Sequence, residues 1–263
     1  MLDIEYAQLS DCGRVRGHNE DYLGCAAPEQ APGKRAPGWL FALADGVGGQ
    51  ELGEVASRLA VETLLAGFRA AADDEPYLTL LPRLVQQANS KVFETGGAMA
   101  TTVVACALRH DRVVVSHVGD SRCYRIRRGQ AEALTRDHTV AGEHIRLGLI
   151  SSGEYAGAET RHALTRSLGP GMFVNVETHE HQLFPGDLLL LCSDGLHGTL
   201  EAGDIAGSIA DKLGPRDSLE DAAHGLIDLA NQRDGSDNVS VQLIRIRGVE
   251  RVGMYRGRPY KLA

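Results

Sequence analysis

The chain has 263 residues, enough for one large domain or two, and enough to bury a core without disulfides or a structural metal. Its 27 basic and 35 acidic side chains leave a formal charge of −8, which excludes the basic footprint of a general nucleic-acid binder. No apolar run reaches the ~18 residues of a membrane span, and the acidic start Met1-Leu2-Asp3-Ile4-Glu5 lacks the order of a signal peptide.

Short strand-like runs come first. Ile4 to Leu9 alternates apolar and polar residues, and Trp39 to Ala44 is a continuous apolar run stopped by Asp45-Gly46. Between them, Ala26 to Gly38 is rich in Pro, Gly and Ala and reads as a hairpin tip. Residues 51–71 read as a helix with Leu52, Val55, Ala56 and Leu59 on one side. Leu81, Leu84, Val85, Ala88 and Val92 mark one face of a second helix, with Asp73-Asp74-Glu75-Pro76 breaking the two. Thr101 to Leu108 and Val113 to Val118 read as paired strands, with Cys123 to Ile126 as a third. Gly142 to Gly171 reads as an irregular flap. Asp187 to Cys192 is a buried strand stopped by Ser193-Asp194-Gly195. Ser218, with Asp221 three residues on, opens a helix that turns Leu219, Ala222, Leu226 and Leu229 inward. Val239 to Ile246 alternates again. Blocks of strands and blocks of helices, without regular alternation, predict a layered α+β fold with mostly antiparallel sheets.

The five cysteines, Cys12, Cys25, Cys106, Cys123 and Cys192, are odd in number, widely spaced and without a CxxC pair. They read as the reduced thiols of a cytoplasmic protein, not as a zinc site or disulfide frame.

Glycine is the outlier, with 31 residues, and it clusters beside acidic residues at the ends of apolar runs. Five acidic sites share that context: Glu20-Asp21, Asp45, Asp120, Asp194 and Asp237. Any one Asp-Gly pair reads as a turn. Five together, each closing an apolar run, read as carboxylates aimed from strand ends at one point. They would repel one another unless cations neutralised them. Oxygen donors without grouped Cys or His suit Mg²⁺ or Mn²⁺. Arg16, four residues from Glu20, has the guanidinium fork that clamps a phosphate.

These segments resemble the protein phosphatase 2C family, the PPM metal-dependent Ser/Thr phosphatases, in its compact bacterial form. The resemblance runs in order through Gly13-Arg14-Val15-Arg16, Asn19-Glu20-Asp21, Asp45-Gly46-Val47-Gly48-Gly49, Thr101-Thr102, Gly119-Asp120-Ser121-Arg122 and Thr135-Arg136-Asp137-His138-Thr139. It continues through Leu164 to Gly169, Ser193-Asp194-Gly195-Leu196 and Asp237-Asn238-Val239-Ser240. It implies a four-layer α-β-β-α sandwich of two antiparallel sheets flanked by helical pairs. One catalytic domain over 1–248, followed by a tail over 249–263, is expected.

The resemblance also implies two Mn²⁺ or Mg²⁺ ions and a third, weaker position. Asp45 would bridge both ions, with the Gly46 carbonyl on one. Asp194 and Asp237 would hold the first, Glu20 would reach the second through water, and Asp21 would orient waters nearby. Asp120 with Asp194 would form the third position. Arg16 would bind the substrate phosphate, and Asn238 would fix the loop carrying Asp237. Water shared by the ions would attack phosphoserine or phosphothreonine in line. Expected partners are phosphorylated proteins and a cognate Ser/Thr kinase, with no nucleic acid and no membrane, for a cytoplasmic monomer. Two rivals stand beside this: a phosphatase of small phosphoesters, and a metal-binding regulator without turnover.

Three departures from the family pattern stand out. Val47 replaces the His that many eukaryotic members carry as a candidate general acid, which leaves His18, His138, His144 and His162 as substitutes. Ala100 replaces a Gly before the Thr pair, and the flap over Glu143 to Glu159 is short.

Overall fold

The structure is a computed structural model that describes residues 2–28, 38–47, 52–72, 74–155, 159–213, 218–255 and 258–261. The strands β1 (Asp3–Asp11), β2 (Asp21–Ala26) and β3 (Trp39–Val47) come first, then helices α1 (Leu52–Ala70) and α2 (Tyr77–Thr95). Next come β4 (Ala100–Thr101), β5 (Val103–Arg109), β6 (Arg112–Val118), β7 (Arg122–Arg127) and β8 (Gln130–Ala133). The short helices α3 (Val140–Arg146) and α4 (Ser152–Tyr155) precede β9 (Glu177–Gln182) and β10 (Leu188–Cys192). Then follow α5 (Asp194–His197), α6 (Ala202–Lys212), α7 (Leu219–Arg233), β11 (Val239–Gly248), β12 (Val252–Tyr255) and β13 (Arg258–Lys261).

One large sheet runs β1-β11-β10-β7-β8 and the other β2-β3-β5-β6-β9, with β4 on β3 and with β12 and β13 as a separate two-stranded ribbon, every pairing antiparallel. Strand alternation sorts the side chains into layers. On β3, Leu40, Ala42 and Ala44 face α1 and α2, while Phe41 and Leu43 face the other sheet. On β11, Val239, Val241 and Leu243 pack under α6 and α7, while Ile244 and Ile246 join the core between the sheets. Three apolar layers between four structural layers are the sandwich expected of this sequence.

Several local expectations change. Val239 to Ile246 is buried on both faces save for the half-buried Arg245, because α6 and α7 cover one face of β11 and the opposite sheet the other. Cys123 to Ile126 joins the opposite sheet, beside β10, rather than the β5–β6 pair. The run from Trp39 does not stop at Asp45: β3 continues to Val47, because Gly46 and Val47 pair with Thr101 and Ala100 of β4. On α1 the buried face is Gly53, Ala56, Ser57, Ala60, Val61, Leu64 and Phe68, whereas Leu52 is exposed. Small residues let this helix lie close against β2 and β3; Gly53 sits so near Gly46 that a Cβ on Gly46 would lie 2.3 Å from the Gly53 carbonyl oxygen. Within the flap region, α3, α4 and a 3-10 turn (Glu159–His162) give regular structure to part of a segment that reads as irregular. The second helical pair includes α6, which opens with a Glu201/Asp204 capping box, and α7 opens with the Ser218/Asp221 box. Cys106, Cys123 and Cys192 are buried in apolar clusters. Most of the hairpin tip, Asp73, and Gly48 and Gly49 of the glycine-rich motif lie outside the described residues. Among the described residues, no helix is long and apolar enough to cross a membrane.

Candidate metal centre

All five acidic sites lie at one end of the sandwich. Register explains the closest pair: Asp21 and Asp45 stand directly opposite each other on β2 and β3. Like charges in that arrangement oppose pairing. Both follow the parity of Leu23 and Leu43, so both point between the sheets. Asp21 is buried, its Oδ2 accepts from Ser193 Oγ at 2.7 Å, and its Oδ1 has no hydrogen-bond partner among the described residues.

The backbone around Asp45 is fixed by the Thr pair. The Asp45 carbonyl accepts from Thr102 N–H and from the Thr101 hydroxyl, each at 2.8 Å, and Asp45 N–H donates to Thr102 Oγ1 at 3.0 Å. Thr102 Oγ1 in turn meets Ser121 Oγ at 2.6 Å, which ties Asp45 to the turn carrying Asp120. That turn is held again at the Asp120 carbonyl, which accepts from His197 Nε2 at 2.9 Å.

A second clamp joins the two ends of the chain. Asn238 Oδ1 accepts from Glu20 N–H at 2.8 Å, and its Nδ2 donates to the carbonyls of Cys12 and His18 at 3.1 and 2.9 Å. Gly13 packs so tightly here that a Cβ would lie 2.2 Å from the Asp237 carbonyl oxygen. Asn238 therefore binds the Glu20 segment to the Asp237 loop. The half-exposed Arg16 donates from Nη2 to Asp237 Oδ2 at 2.8 Å.

Charge at this end is unbalanced. Burial pushes Asp45 well above the usual carboxylate range, and the nearby Asp21, Asp194, Asp120 and Asp237 push it further. Burial, with a smaller contribution from Asp194, raises Asp120 to about 8; burial raises Asp21 to about 7. Asp194 behaves differently. Burial raises it, but His162, whose Nδ1 lies 3.5 Å from Asp194 Oδ2, and the nearby His197 bring it below its ordinary value. Desolvation raises Glu20 despite the opposing charge of Arg16.

These residues fit divalent cations. The donors are carboxylate oxygens, one buried carboxylate oxygen is orphaned, and burial and the close-set acids raise the proton affinity of Asp45 in the absence of a counter-charge. Arg16, Glu20, Asp45, Gly46, Asp120, Asp194 and Asp237 all line one cleft of about 390 Å³. Asp21 is behind that wall. It is buried with its Oδ2 on Ser193 and does not line the cleft.

Cleft residues Arg161, Thr199, Asp234 and Ser236 lie outside the sequence motifs, whereas Leu164 opens the Leu164 to Gly169 segment. His197, buried and pushed down to about 4 chiefly by burial, directly follows Ser193-Asp194-Gly195-Leu196, and the fold alone brings it to the Asp120 carbonyl. Of the four histidines considered as acids, His162 lines the cleft. His138 is buried among polar partners, His18 is exposed on the Arg16 segment, and His144 lies on α3.

A family model described as protein phosphatase 2C matches residues 18–235. The serine/threonine phosphatase stp of Listeria innocua is 32% identical over 259 residues, covering 95% of this chain and 96% of that protein. The PPM Ser-Thr phosphatase MsPP from Mycobacterium smegmatis, solved in complex with cacodylate, is 36% identical with a TM-score of 0.77, over 92% of this chain and 98% of that one. The catalytic domain of the serine/threonine phosphatase PstP, solved with two manganese ions, is 32% identical with a TM-score of 0.77, over 94% and 100%. Fold, acid-rich cleft and sequence agree along nearly the whole chain, which belongs to the protein phosphatase 2C family of metal-dependent serine/threonine phosphatases and is a phosphoric monoester hydrolase.

Proposed function

We propose that this chain removes phosphate from phosphoserine and phosphothreonine in proteins, opposing a Ser/Thr kinase. In this reading Asp45, the Gly46 carbonyl, Asp194, Asp237 and, through water, Glu20 would hold two Mn²⁺ or Mg²⁺ ions. Asp120 with Asp194 forms a third, weaker position, and Asp21 holds water behind Asp45. The observation that carries it is the face-to-face placement of Asp21 and Asp45, with three further aspartates raising the proton affinity of Asp45.

When bound, such ions lower the pKa of water to about 7 and neutralise phosphoryl oxygens. The protein's own groups do the rest. The Thr101-Thr102 clamp and the Asn238 clamp keep Asp45 and Glu20 aimed without reorganisation. Arg16, already on Asp237 at the cleft wall, presents its remaining N–H groups to the substrate phosphate. Val47 gives the cleft an apolar position where an acid could stand, so the leaving alkoxide takes its proton elsewhere.

Five unpaired cysteines support a reducing, cytoplasmic setting. A phosphothreonine peptide assayed with Mn²⁺ and with excess chelator tests the proposal. Metal-dependent release of phosphate is expected. Metal binding without turnover would favour a regulator, and turnover of small phosphoesters alone would favour a metabolic phosphatase.

A further inference from the structure

His117, His138 and Glu177 bring possible ligand atoms within 4.8 Å of one another, outside the acid-rich cleft. The hydrogen bonds argue against a cation there. Gly119 N–H donates to His138 Nδ1 at 3.2 Å, so the neutral ring carries its proton on Nε2, which faces Glu177 Oε2 at 3.4 Å. A protonated nitrogen has no lone pair for a metal, and none for Arg166 Nη1, which lies 3.2 Å away as a packing contact of donor against donor. His117 stacks on the His138 ring at 4.6 Å, with its own Nε2 on the Arg136 carbonyl at 2.8 Å.

The cluster sits instead at a junction. The excursion over 140–166 is closed at its base by a bridge between Thr139 and Leu164. The His138 carbonyl accepts from Thr165 N–H at 2.8 Å, and His138 N–H donates to the Gly119 carbonyl at 3.0 Å. Glu143, near the start of the excursion, meets Arg166, at its end, and Arg166 meets the His138 ring. One residue thus grips the Gly119 peptide from both sides, one step from Asp120, and anchors both ends of the excursion.

We infer that His138 is a positioning residue that locks the 140–166 excursion to Asp120, so that Arg166 and Glu143 set how well Asp120 holds a cation. This rests on the reading of Asp120 as a ligand of the third metal position.

The test follows Mn²⁺ binding to the full chain by the paramagnetic resonance of the free ion, with phosphopeptide turnover alongside. Asp120→Ala should remove the weakest binding step. Arg166→Ala and His138→Gln should weaken that step about tenfold, the usual scale for groups that orient a ligand, and leave the tighter steps unchanged. Combined with Asp120→Ala they should add nothing. His138→Asn places an amide oxygen where Nδ1 stands, keeps the bond from Gly119, and should restore most of the affinity. Arg166 lies partly exposed, so its variant carries the test if His138→Gln fails to fold. The inference is overturned if Arg166→Ala leaves the weakest step intact, weakens all steps alike, or adds in full to Asp120→Ala. If Asp120→Ala itself leaves every step intact, the metal reading of Asp120 is the part that fails, and the inference falls with it.

Discussion

Asp194 begins the four-residue α5, accepts at its carbonyl from Gly198 N–H, and turns its carboxylate into the cleft. Asp194→Ala keeps that backbone bond and loses the carboxylate with its contact to His162. Activity on a phosphopeptide should fall by about three orders of magnitude, the several kcal/mol a bound metal contributes. Circular dichroism should show an intact fold, and near-normal turnover would remove Asp194 from the centre. Arg16 is bound to Asp237 and raised in pKa chiefly by that hydrogen bond, so it is charged at every working pH. Arg16→Ala should raise KM by one to two orders of magnitude, matching a charge-assisted bond of roughly 1.5–3 kcal/mol. Arg16→Lys should recover only part, because a point charge lacks the fork. Equal kcat/KM in all three proteins would make Arg16 an ordinary surface ion pair.

At the scale of elements, the centre depends on how closely α1 approaches β3. A Cβ on Gly46 would meet the Gly53 carbonyl carbon and oxygen at 2.4 and 2.3 Å, both backbone atoms that cannot swing aside. Gly46→Ala should cost about 3 kcal/mol and lower the thermal midpoint by several degrees, with activity reduced because β3 carries Asp45. Gly207 on α6 is the contrast, since a Cβ there meets nothing within 4 Å. Gly207→Ala should stabilise by roughly 0.5–1 kcal/mol, since alanine loses less backbone entropy in a helix. Thermal melts of the two variants against the parent protein check both signs. A neutral Gly46→Ala would mean that α1 can retreat freely from β3.

At the scale of the whole molecule, protons and cations compete for one cluster. Without metal, burial holds Asp21 at about 7 and Asp120 at about 8, against 3.8 for an ordinary aspartate. Raised carboxylates favour the folded state below the unfolded value, and that contribution is lost as pH rises through the folded values. Cations bind once those protons leave, so stabilisation by Mn²⁺ should grow over the same window. The gap between thermal midpoints measured in Mn²⁺ and in chelator should widen from about pH 5.5 to about pH 8.5. A constant gap would show that these carboxylates do not exchange protons for metal.

Local chemistry made much of this legible without a structure. The alternation in Ile4 to Leu9, the helical spacing of Leu81 to Val92, the Ser218/Asp221 box and the aspartates at the ends of apolar runs each act over a few residues. Period and turn chemistry therefore suffice to read them. What tertiary structure alone decided is nonlocal. The polar strand β9 exists because its edge pairs with β6, with Thr178 beside Ser116, and no apolar period announces it. The buried face of α1 begins on its small residues, so Leu52 is left exposed while Val55 and Leu59 pack at the edge of the core. Asp21 meets Asp45 through strand register, Arg16 meets Asp237 across 221 positions, and Gly119 meets His138 through a backbone clamp between two turns. Sequence spacing sets none of these meetings, since each depends on which strands pair and in which register.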